Sequence, residues 1–176
     1  CSESLRDPWV PPAPHRSGTS LHYLGRAFDL DPMSGMRDPD TDPVVVTWDK
    51  EIPGDNRGRW RLWGRAFTGD PELQVSELDS VVTYRDRSAT RRVTGRFFDL
   101  TAIFMANGFV PIPPKPVFWR GGPWLAADWW PFQNVTGLRP GQSFFGYELA
   151  RLYPIESLRR TPAWAQRERL YGDTWT

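Results

Sequence analysis

The chain has 176 residues, 39% of them apolar, and carries 22 Lys+Arg against 21 Asp+Glu for a formal net charge of +1. That length holds one domain with an ordinary hydrophobic core. The near balance of charge argues against a nucleic-acid partner, which calls for a clear basic excess, and no run approaches the roughly 20 apolar residues that span a bilayer.

Cysteine occurs once, at position 1, so no internal disulfide can form. A start on Cys rather than Met has two readings. One is a lipoprotein anchored to lipid through Cys1 after removal of a signal, which would be extracytoplasmic, in the cell envelope or secreted. The other is an arbitrary boundary.

In chain order, residues 1–16 read as an extended N-terminal arm, because Pro8, Pro11, Pro12 and Pro14 deny it regular ladders. A single domain is expected over 17–176. The stretch 21–30 is compact, and 31–43 is turn-rich and expected as an exposed loop. Val44 to Trp48 is β-branched and reads as a strand. So does Arg59 to Phe67, where Trp60 and Leu62 alternate with Arg59 and Arg61. From Phe97 to Asn107 the spacing of Phe97, Leu100, Ile103 and Phe104 predicts an amphipathic helix, ended by Gly108. A proline-rich connection follows over 109–116, then a buried strand with its approach over 124–133. Short helices are expected over 143–153 and 162–171. Strands and helices alternate without a βαβ rhythm, which predicts an α+β fold.

Only two histidines occur, His15 and His22. The segment Ser20-Leu21-His22-Tyr23-Leu24-Gly25-Arg26-Ala27-Phe28-Asp29 spells S-x-H-x-x-G-x-A-x-D. An imidazole and a carboxylate are zinc ligands at about 2.0–2.2 Å. Gly25 permits a backbone conformation or close approach that a β-carbon obstructs. Ala27 is small enough to pack beneath a site. The bland alternative is a hydrogen-bonded His–Asp pair.

This segment resembles the first zinc motif of the D-alanyl-D-alanine carboxypeptidases and dipeptidases, whose fold is shared with the hedgehog signalling domain and some phage endolysins. In that family a second motif, Glu-x-Trp-His or Glu-Trp-Trp-His-Phe, supplies the general base and the third ligand. Here the corresponding stretch is Ala126-Ala127-Asp128-Trp129-Trp130-Pro131-Phe132-Gln133. Asp99 to Phe109 is similar to the family's helix and Gly-Phe turn, so the resemblance runs from about Ser17 to Gln133. It implies a hedgehog/DD-peptidase-type domain with a central, mainly antiparallel sheet flanked by helices. It also implies that His22 and Asp29 hold a metal and that Asp128 is the catalytic acid–base.

Two positions depart from the pattern: Asp128 replaces a Glu, and Pro131 replaces the third ligand and has no donor atom. Zinc with a recruited ligand is one expectation, with Asp128, His15 or Glu148 as the candidates. A carboxylate-rich set would suit Mn²⁺ or Mg²⁺ instead. A cleft without metal is the other. The expected ligand is a peptide or peptidoglycan stem peptide, with Arg16, Ser20, Trp129 and Trp130 as candidate substrate-binding residues. Three functions follow: peptide binding without turnover, a metallopeptidase with a rearranged site, or a docking module in an envelope or phage-like assembly. Trp119, Trp124, Trp129 and Trp130, four of the ten tryptophans, gather around the second motif, as stacking platform or as core.

Overall fold

The structure is a computed structural model, and it describes residues 5–10, 20–50, 58–66, 74–82, 89–138 and 144–160. The described residues form two sheets and a few short helices, an α+β composition. The chain divides into two compact units, one of residues 1–29 with 133–176 and one of residues 30–132.

The second unit is built on a four-stranded antiparallel sheet. Its strands are β2 (Val44–Asp49), β3 (Arg59–Arg65), β4 (Gln74–Val82) and β5 (Ala89–Asp99), in the order β2-β3-β5-β4. β1 (Ala27–Asp29) precedes them in the first unit. The β2–β3 register sets Val46 opposite Leu62 and Trp48 opposite Trp60. Strand periodicity then separates the faces. Val46, Trp60 and Leu62 are fully buried on one face. On the other, Arg61 pairs with Asp49 at 2.8 Å and Asp99 at 3.5 Å, and the Trp63 indole donates to Thr47 at 3.0 Å. Val45 from one edge strand and Leu78 from the other share a cluster with Val93 and Phe97, so the sheet curls until its edges approach.

The alternation expected for β3 is therefore present, while the longest element, the β4–β5 hairpin, went unread. Its register runs from Gln74–Phe97 to Val82–Ala89. The helix expected over 97–107 is corrected at its start. Phe97 to Asp99 complete β5, and α1 spans Leu100–Ala106. Asp99 is the reason: its carboxylate accepts the Ala102 N–H at 2.8 Å, which fixes it as the N-cap. Phe97 packs in the sheet cluster and Ile103 is exposed, so the four apolar residues do not share one face. The helix ends as expected. Gly108 takes φ +81°, its N–H reaches Met105 O at 2.9 Å, and Phe109 N–H reaches Phe104 O at 2.9 Å, the double closure of a Schellman turn.

The loop over 31–43 is turn-rich but not simply exposed, a second correction. Gly35, Met36, Pro39 and Asp42 are buried within it. The Asp42 carboxylate accepts the backbone N–H groups of Arg37 and Asp38 at 2.8 and 3.0 Å, and Arg65 ties the loop to β3 through the carbonyls of Pro39 and Asp42. A third correction concerns 124–133. Trp124–Ala127 is a single 3₁₀ turn, and only Pro131–Gln133 forms a strand, β7. β7 hydrogen-bonds to the short β6 (Val110–Pro111) in the smaller sheet.

In the first unit, α2 (Phe144–Leu152) and α3 (Ile155–Arg159) contribute Leu149 and Leu158 to a core with Leu21, Tyr23, Leu24 and Ala27. Residues 5–10 lie on the same unit: Arg6 N–H donates to His22 O at 3.2 Å, and the Trp9 ring meets Tyr153 edge-on at 5.1 Å. The helix expected over 162–171 lies outside the described residues. No described helix is long and apolar enough to cross a membrane.

Candidate functional site

The S-x-H-x-x-G-x-A-x-D segment resolves position by position. Ser20 caps a 3₁₀ turn over Leu21–Leu24, its hydroxyl accepting from His22 N–H at 3.4 Å. Gly25 closes the turn at φ +64°, a conformation that costs any residue with a β-carbon, and sends its N–H to His22 O at 3.2 Å. Ala27 is buried and opens β1, whose last residue is Asp29. The turn and the strand thereby bring the two polar side chains together. His22 Nε2 lies 3.3 Å from Asp29 Oδ1, with the imidazole buried.

That separation tests the metal that the resemblance implies. Two ligands of one tetrahedral zinc lie roughly 3.3–3.6 Å apart when each bond is about 2.0–2.2 Å. His22 and Asp29 thus stand where two donors would stand. A catalytic zinc needs three protein ligands, and among the described residues the set is not completed. Among the described residues no group of three or more His, Cys, Asp or Glu side chains is placed to hold a metal ion. Pro131 lies in β7 and offers no donor. Glu148, a candidate replacement in the same unit, faces Arg151 at 3.2 Å. The other candidate, His15, lies outside the described residues, as does Arg16.

Asp128 belongs to the second unit. It follows the 3₁₀ turn Trp124–Ala127 in the left-handed region, at φ +47° and ψ +40°. Such a conformation in a non-glycine residue is one that local structure has to hold, and Asp tolerates it better than most. Its carboxylate is 3.0 Å from Lys115 Nζ; the Asp128 side chain is 14% exposed and that of Lys115 63%. The lysine is placed by its own backbone, whose N–H donates to Ala126 O at 2.9 Å. Sequence reading missed Lys115 as a site residue. The available signal was its rarity, one of two lysines beside twenty arginines, within the proline-rich 109–116.

The tryptophans divide between core and surface. Trp129 is fully buried, and Gly35 makes room for it: a β-carbon at Gly35 would sit 3.1 Å from its ring. Trp130 is half-buried, between Trp129 at 5.9 Å and Trp124 at 6.1 Å. Farther along the same unit, Trp60 is buried with its indole N–H on Ala127 O at 2.7 Å, and Trp119 stacks over it at 5.9 Å and 26°.

Of the residues singled out in the sequence, then, His22, Asp29 and Ser20 are gathered in one turn and strand of the first unit. Asp128, Trp129 and Trp130 are consecutive in the second. Comparison of the chain with protein-family models, with curated proteins and with solved structures finds no match.

Proposed function

We propose that this chain is a peptide-binding domain of DD-peptidase type in which the hydrolytic step has been lost. The observation that carries the reading is the ion pair at Asp128. In the family that the sequence resembles, this position holds the base that activates water. A base must present a free lone pair to that water within hydrogen-bond reach. Here one carboxylate oxygen, Oδ2, is engaged by the Lys115 ammonium at 3.0 Å, which competes with a water for that atom, and Asp withdraws the group by one methylene relative to Glu. The donor set supports the same conclusion independently, since His22 and Asp29 supply two ligands and Pro131 supplies none. The ligand class that the resemblance implies is a cell-wall stem peptide, and a location in the cell envelope or outside it goes with that ligand.

The test uses the whole chain and a synthetic stem pentapeptide ending in D-Ala-D-Ala. Calorimetric titration is expected to show binding. Mass spectrometry of the same mixture, with or without one equivalent of zinc, is expected to show the pentapeptide intact after prolonged incubation. Release of D-alanine that depends on zinc and disappears in Asp128→Asn would overturn the proposal in favour of a rearranged metallopeptidase.

A further inference from the structure

We infer that the exposed face of the turns between Lys115 and Leu125 is a docking surface for an acidic polypeptide segment that carries a bulky apolar side chain. The inference deepens the peptide-binding reading and rests on it for its ligand class. Three large apolar side chains stand out of the protein within this one stretch: Val117 at 47% exposed, Trp119 at 51% and Leu125 at 51%. They sit on two successive 3₁₀ turns, Phe118–Arg120 and Trp124–Ala127. A single exposed apolar residue is ordinary, whereas three in one short stretch mark a surface that meets something.

The indole at the centre is held rather than loose. Trp119 stacks on the buried Trp60, and its edges meet Trp48 and Phe118, each at 4.8 Å. Trp60 is itself pinned by its bond to Ala127 O. The turn beneath is sealed by Gly122, where a β-carbon would fall 2.6 Å from the Val117 carbonyl oxygen. A ligand arriving on Trp119 therefore pays little to order it, the condition under which an aromatic becomes an affinity anchor.

Charge selects the partner. Lys115 and Arg120 are both exposed, and the one acid of the stretch, Asp128, is largely covered and already faces Lys115. An ammonium has three N–H donors, and Asp128 lies within reach of only one side of Lys115. With its side chain 63% exposed, Lys115 keeps its pair with Asp128 and turns its other N–H donors to solvent, where a second carboxylate can meet them. Among the described residues of this stretch, two cations against one acid leave a net positive charge beside the apolar side chains. A pyranose ring would use the Trp119 face but neither Val117, Leu125 nor the cations. A polypeptide with an aromatic or leucine side chain flanked by Asp or Glu uses all of them. Nucleic acid is disfavoured by a net charge of only +1 over the chain.

The test follows the Trp119 indole N–H in two-dimensional nitrogen–proton spectra of the whole chain, assigned through Trp119→Phe. The probes are an acetylated peptide with a central Phe-Leu flanked by Asp and Glu, the same peptide with Lys at every acidic position, and chitotetraose. The acidic peptide is expected to shift the Trp119 signal; the Lys peptide is not. Trp119→Ala should weaken binding by about tenfold or more. The double variant Lys115→Gln, Arg120→Gln leaves the aromatic stack intact and should weaken it about three- to tenfold, with a reduced loss between about 50 and about 300 mM salt. A response to chitotetraose without one to the acidic peptide would overturn the inference in favour of a glycan, and silence to all three would overturn it outright. Stem-peptide binding in a protein whose Trp119 signal no acidic peptide moves sinks this surface and spares the peptide-binding reading. Cleavage of the stem peptide beside an acidic peptide seated on Trp119 does the reverse.

Discussion

Thr101 shows how a single side chain completes the backbone of the larger sheet. The β3–β5 pairing covers only Trp63 to Arg65, which leaves the N–H of Leu62 facing the start of α1. The Thr101 hydroxyl, itself buried, accepts that N–H at 2.8 Å. Replacing Thr101 with Val keeps the shape and removes the acceptor, stranding a buried donor. The expected loss is about 1–3 kcal/mol, read from the shift of the urea midpoint. Thr101→Ser retains the hydroxyl and should lose clearly less. Nothing in the sequence singled out this residue, because a threonine in the first turn of a helix is unremarkable until the strand beside it is known. Ser20 and Gly25 are the opposite case. Spacing singled out both: Gly25 as a place where a β-carbon obstructs, which agrees with its φ of +64°, and Ser20 as a candidate substrate contact, whose role as cap of the turn only the structure shows. Gly64 is intermediate: a glycine within a strand announces close approach, but only the structure shows that the Phe98 ring occupies the space a β-carbon would take.

Elements were legible where their periodicity was unbroken and illegible where charge disguised it. β3 alternates Arg59, Trp60, Arg61 and Leu62, and that pattern survives as exposed and buried sides of a strand. The β4–β5 hairpin alternates too, with Leu78 and Ser80 inward against Glu77 and Asp79, and Val93 inward between Arg92 and Thr94. Its inward positions include a serine and its outward ones are charged, so apolar counting passes over it. The outward charges pair across strands, Arg92 with Asp79 at 3.1 Å and Glu77 at 3.6 Å, and these partners raise the Arg92 guanidinium further above its ordinary range, chiefly through the Asp79 hydrogen bond. The boundary between β5 and α1 was misplaced because Phe97, Leu100 and Phe104 satisfy helical spacing although Phe97 belongs to the sheet. What decides the boundary is one carboxylate. Asp99→Ala removes the cap on Ala102 N–H and also a partner of Arg61. It should cost about 1 kcal/mol in thermal or urea unfolding, with amide exchange accelerating first at 101–103, whereas Asp99→Asn or Asp99→Ser keeps a capping oxygen and should recover most of that.

At the scale of the molecule, the question is whether folding is linked to a metal, and each of the two units holds candidate residues of its own. In the first unit the nearness of His22 and Asp29, 3.3 Å apart, follows from the turn and strand that the motif forms. In the second unit Asp128 and Pro131 can be read from the sequence, but the lysine beside Asp128 cannot. Lys115 is thirteen positions away in the chain, and its partnership depends on the 3₁₀ turn and the left-handed backbone of Asp128. An intact zinc site would make stability depend on metal by mass action, adding about 4 kcal/mol when free zinc exceeds the dissociation constant a thousandfold. For a chain of this length that would raise the unfolding midpoint by about 10 °C. Among the described residues no third donor joins His22 and Asp29, and a site short of one ligand forfeits a large share of a binding energy of order 10 kcal/mol. The midpoint is therefore expected to stay within about 1 °C whether the protein is scanned in zinc or in chelator, and His22→Ala should leave that indifference unchanged while lowering stability through loss of the buried pair. A midpoint that climbs with zinc in the wild-type chain and ceases to do so in His22→Ala would mean that a third ligand has been recruited, and the loss of hydrolysis argued from Asp128 would then have to be given up.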